Sequence, residues 1–75
     1  MTVLDLSQGE SGIIDSIDSA ENYFIKFRLM EMGCLPGENI TLNYYSPSRT
    51  SISITVMNYQ LALRIEYAKY IVIRS

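Results

Sequence analysis

Phe27-Arg28-Leu29-Met30-Glu31-Met32-Gly33-Cys34-Leu35-Pro36-Gly37 holds a helix ending and a turn back to back. Gly33 stands where a helix needs a residue that accepts positive φ, and Pro36 follows because it cannot continue the helix. Upstream, Ile25, Leu29 and Met32 recur at i, i+4 and i+7, while Lys26 and Glu31 fall outside that stripe. Tyr23, Phe27 and Met30 make a second row beside it, so a wide buried face is expected. The spacing predicts a helix over about 22–32, capped by Asp18 or Ser19, with Glu21 suited to its N-terminal end.

On either side of this helix the pattern changes. Leu4 and Leu6 alternate with Asp5, an extended lead-in, and 12–18 places β-branched Ile13, Ile14 and Ile17 between Gly12 and Asp18, a strand. After Gly37 the period is two. Ile40, Leu42 and Tyr44 alternate with Thr41, Asn43 and Tyr45, then Ile52, Ile54 and Val56 with Ser51, Ser53 and Thr55. Ser46-Pro47-Ser48-Arg49 is turn chemistry that joins these runs as an antiparallel hairpin. Asn58-Tyr59 marks the next reversal, Leu61-Ala62-Leu63 a short strand, 65–69 one helical turn and 70–74 a last strand. Five short strands in a flat sheet would leave edges open to other chains, and closure into a small barrel removes most of that exposure. The fold expected is mainly β: a five-stranded barrel with one helix inserted between strands one and two and covering an end.

The 75 residues are expected to form a single domain, 1–75. A net charge of −2 and a pI near 4.8, with six basic residues scattered along the chain, argue against a nucleic-acid binder. One cysteine cannot form an internal disulfide, and no signal-like or membrane-spanning run is visible, so a cytoplasmic location is expected.

No histidine is present, which removes the commonest general base and transition-metal ligand and rules out Ser-His and Cys-His chemistry within the chain. The Gly9-Glu10-Ser11-Gly12 stretch lacks the lysine and following helix of a phosphate-binding loop. No catalytic set, cofactor site or metal site is therefore expected. Cys34 reads as a small apolar filler, Met30, Met32 and Met57 as core, and Asp15, Asp18 and Glu21 as solvated acids. Arg28 is expected to pair with Glu31 at i+3. Of the six tyrosines, Tyr44 is expected inside. Tyr45 and Tyr59, with Pro47 and Arg49, make the candidate partner-binding surface, since exposed tyrosine beside arginine suits protein contacts.

The residues Leu4-x-Leu6, Gly9, Gly12-Ile13-Ile14 and Arg28-Leu29-x-x-Met32-Gly33-x-x-Pro36-Gly37 resemble the ferrous iron transport protein A (FeoA) family. The match continues through Ile52-Ser53-Ile54-x-Val56, Leu61-Ala62-Leu63-Arg64, Ala68, Ile71 and Ile73, with Asn58 where many relatives carry glycine. The resemblance implies an SH3-like barrel acting as a non-enzymatic accessory of FeoB, a membrane ferrous iron transporter with a cytosolic GTP-binding domain. A related domain closes iron-dependent repressors, which leaves a metal- or ligand-responsive role as the alternative. Direct membrane insertion and nucleic-acid binding are not expected.

Overall fold

The helix ending at Gly33 is a complete hydrogen-bonded stop. In this computed structural model, which describes residues 1–18 and 22–74, Gly33 has φ +96°. The Cys34 N–H donates to the Leu29 carbonyl at 3.0 Å and the Gly33 N–H to that of Met30 at 3.0 Å. These are the two bonds of a Schellman cap, and the apolar contact that accompanies the motif pairs Leu29 with Cys34, both fully buried. The helix, α1, spans Tyr23–Glu31. Its N-cap is Asn22, whose Oδ1 accepts from Phe24 N at 3.0 Å and Ile25 N at 3.4 Å. Asp18 does not cap it: its N–H donates to the Tyr70 carbonyl at 2.8 Å. The Ser19 and Glu21 expectations lie outside the described residues.

Five strands surround this insertion: β1 Ser11–Ile17, β2 Asn39–Tyr45, β3 Ser51–Val56, β4 Tyr59–Arg64 and β5 Ile71–Ile73. All pairings are antiparallel in the order β4-β3-β2-β1-β5. A second helix, α2 (Ile65–Ala68), carries the chain from β4 toward β5. The free side of β5 is occupied by the first residues, through a Thr2–Val72 bridge and a bond of 2.9 Å from Ile73 N to the Met1 carbonyl. The barrel is mainly β, as expected, with β4 and β5 the outer strands of the hydrogen-bonded order.

The lead-in is not extended. Val3–Asp5 is a 3-10 turn closed by a reciprocal cap, in which Thr2 Oγ1 accepts from Leu4 N and Asp5 Oδ2 from Thr2 N at 2.8 Å. The turn buries Val3 and Leu6 together, which strict alternation could not do.

Two bulges decide which side chains face inward. The register shifts between Ile14 and Ser16 against β5, leaving Asp15 as the extra residue, so Ile14 and Ile17 share the core although three apart. In β2 the shift falls between Leu42 and Tyr44, which makes Asn43 extra. Its side-chain amide donates to Ser53 Oγ at 3.2 Å and Thr55 Oγ1 at 2.9 Å. Tyr44 is therefore turned to solvent, 55% exposed and opposite to expectation, and Tyr45 joins the core margin. The β3–β4 reversal is Met57-Asn58, with φ +51° and +69°, the both-positive pair of a two-residue hairpin turn. Met57 consequently lies exposed rather than in the core.

Candidate interaction surfaces

The four candidate contact residues do not form one patch. Tyr45, Pro47 and Arg49 come together at the β2–β3 turn. Arg49, at φ +59°, lays its guanidinium 4.1 Å from the centre of the Tyr45 ring. The Ser46 hydroxyl holds the turn by accepting from Thr50 N and Ser51 N, each at 3.2 Å. Tyr45 is half-buried, and its hydroxyl reaches the Leu4 carbonyl at 3.4 Å. Tyr59 stands at the other end of β3, roughly 20 Å away for a six-residue strand. Its hydroxyl donates to the Met32 carbonyl, which ties the β3–β4 turn to the end of α1.

A second surface was hidden from sequence reasoning. Tyr23 and Phe27, expected in a buried second row, are 70% and 66% exposed, and Phe24 is 69% exposed. Nine residues of helix turn one stripe to the core: Leu29 fully, with Ile25 and Met30 half-buried. The opposite stripe is aromatic. Beside it lies a groove between α1 and α2, a cavity of about 300 Å³ lined by Asn22, Phe24, Ile25, Arg28, Leu29, Met32 and Tyr67. Arg28 does not pair with Glu31; its guanidinium lies 5.9 Å from the Phe24 ring centre. The signal available in the sequence was the count of large residues: Tyr23, Phe24, Ile25, Phe27, Leu29 and Met30 exceed what one short helix can bury.

Among the described residues, no three His, Cys, Asp or Glu side chains gather where they could hold a metal ion. Cys34 is fully buried, and burial pushes its thiol from 9.0 up to about 11. The folded form thus keeps its proton where the unfolded form loses it. Stability from this group is intact below pH 9 and declines between pH 9 and 11, by roughly 2–3 kcal/mol at the upper end, at about 1.36 kcal/mol per pH unit. Cys34→Ala should flatten that decline when urea midpoints are compared at pH 8 and pH 11, and the native thiol should resist alkylation at pH 8.

This assembly of parts, a small five-stranded barrel with a helix inserted after β1, defines an SH3-like barrel. The chain belongs to the FeoA domain family, whose model matches residues 1–75. FeoA of Stenotrophomonas maltophilia, solved in complex with zinc and described as a prokaryotic SH3 domain protein, is 30% identical with a TM-score of 0.84. That alignment covers 99% of this chain and 89% of that one. A FeoA-like protein of Clostridium acetobutylicum shares the fold at 22% identity and TM-score 0.88, covering 99% and 84% of the two chains. A manganese-dependent transcriptional repressor bound to manganese contains the same fold, at 13% identity and TM-score 0.88, over 99% of this chain and 35% of that one. Comparison with curated proteins returns no match.

Proposed function

We propose that this chain is an accessory protein of bacterial ferrous iron uptake that acts by binding the cytosolic region of a FeoB-type membrane transporter. The observation that carries the reading is the FeoA domain match along the entire chain. Two features support it: the chain has no histidine for general-base chemistry, and its surface carries large exposed aromatics of the kind that anchor protein contacts. The protein works as one domain, 1–75, in the cytoplasm, and no helix among the described residues is long and apolar enough to cross a membrane. Contact draws on the Tyr45, Pro47 and Arg49 turn, on Tyr59, or on the aromatic face of α1.

The test is a titration of fluorescently labelled protein with the transporter's soluble GTP-binding domain, loaded with GDP or with a slowly hydrolysed GTP analogue. A saturable rise in anisotropy in at least one nucleotide state is expected. A flat response in both removes the reading. Likeness to the manganese-dependent repressor supports the alternative of a metal-responsive domain, for which calorimetry with Mn²⁺ and Fe²⁺ would show saturable heat.

A further inference from the structure

We infer that the α1–α2 groove is the docking site for a segment of a partner protein that inserts one bulky apolar side chain and sets a carboxylate against Arg28. The inference rests on the proposed role as a transporter-binding accessory and specifies which surface does the binding and what it recognises. Leu29, 1% exposed, closes the bottom of the groove, with Phe24 and Tyr67 on its two sides at 69% and 39% exposure. A cavity of about 300 Å³ sits at the small end of ligand pockets, so it takes one or two side chains rather than a cofactor.

Charge selects the occupant. Among the described residues the groove carries one ionised side chain, Arg28, and Arg28 forms no ion pair with them. The neighbouring acid on α2, Glu66, is held by Arg64 at 2.6 Å. A cation at the rim of an apolar groove, with no carboxylate among the groove's described lining residues, fits an acidic apolar segment. A bidentate guanidinium–carboxylate contact would orient that segment. A second copy of this chain fits poorly, because in a two-fold contact through this face the same lining residues would meet Arg28, and none of those described is a carboxylate. An anionic bilayer fits poorly as well. Each basic residue adds only about 1 kcal/mol of lipid attraction, and the rest of the chain repels the surface.

Phe24, Phe27 and Arg28 are exposed, so their substitutions leave the core untouched. The experiment maps amide shifts of ¹⁵N-labelled protein on addition of the transporter's soluble GTP-binding domain, and measures affinity for the wild type, Phe24→Ala, Arg28→Glu and, as a control outside every candidate surface, Arg74→Ala. Shifts should centre on 22–32 and 65–68, and Phe24→Ala and Arg28→Glu should each weaken binding about tenfold or more, while Arg74→Ala stays within about threefold. Shifts confined to 44–51 with full affinity in Arg28→Glu would keep the transporter reading and overturn the groove. No shift anywhere would remove both. Concentration-dependent dimerisation lost in Phe24→Ala, or sedimentation with vesicles of three parts phosphatidylcholine to one part phosphatidylglycerol lost in Arg28→Glu, without binding to the GTP-binding domain, would assign the face to a copy or to lipid and overturn the inference.

Discussion

Gly33→Val is expected to destabilise the fold by about 2–4 kcal/mol and to lower Tm by roughly 10–25 °C, at about 4–8 °C per kcal/mol for a domain of this size. Two terms combine. At φ +96° an L-residue pays roughly 1–2 kcal/mol, and a β-branched one fits worst. Its Cβ would also lie 2.9 Å from Met57 Sδ and 3.3 Å from Tyr59 Oη. Met57 can swing aside into solvent, but Tyr59 is held by its bond to the Met32 carbonyl. Backing away from Tyr59 strains the Schellman cap and loosens the Cys34–Leu29 and Gly33–Met30 hydrogen bonds, each worth about 1 kcal/mol. Gly37 supplies the control. It has φ +92° and nothing within 4 Å of a built Cβ, so Gly37→Val should show the backbone term alone. Urea midpoints for the two variants separate conformation from packing. Equal losses would mean that the contact with Met57 and Tyr59 contributes nothing.

The same residue shows what the sequence revealed and why. A glycine followed by Pro-Gly after an i, i+4, i+7 stripe is local chemistry, and local chemistry is readable: the helix, its stop, the two-residue alternations and the single turn at α2 were all legible. The failures have separate physical origins. Strict alternation breaks down in β2, because a single extra residue, Asn43, inverts Tyr44 and Tyr45. The signal for such a bulge is weak, because Asn43 is fixed by hydroxyls on another strand, Ser53 and Thr55. Thr2 and Asp5 form a capping box over too few residues to stand out from an alternating lead-in.

The candidate surface was harder to read, because exposure depends on how much partner surface the fold offers each face. Tyr23 and Phe27 have the spacing of core residues, yet α1 meets the barrel along one stripe and nothing among the described residues covers the other. Sequence periodicity measures which residues share a face. It does not say whether that face has a partner within the same chain. Tyr45 and Arg49 come together at the β2–β3 turn, and their stacking uses much of the ring that was expected to be available for contact.

Leu29→Ala should produce the other large effect, about 2–5 kcal/mol for a fully buried leucine. A chain of 75 residues has a total stability of roughly 4–11 kcal/mol, so the loss is a large share. Its distribution matters more than its size. Leu29 is the fully buried side chain of α1, and nine residues are too few for a helix to persist alone in water. The sheet, by contrast, keeps Ile14, Ile40, Leu42, Ile52, Ile54 and Ile71 whether or not α1 is docked. Removing Leu29 should therefore release α1 before the barrel unfolds. Hydrogen exchange would show amides of 26–34 losing protection far more than those of β2 and β3. Uniform loss across helix and sheet would mean that α1 and the barrel form one cooperative unit. The outcome bears on the groove, since Leu29 is its floor and Arg28 its rim. If α1 undocks separately, Leu29→Ala should abolish partner binding while much of the barrel signal survives, and a ligand seated in the groove should raise the protection of α1 selectively.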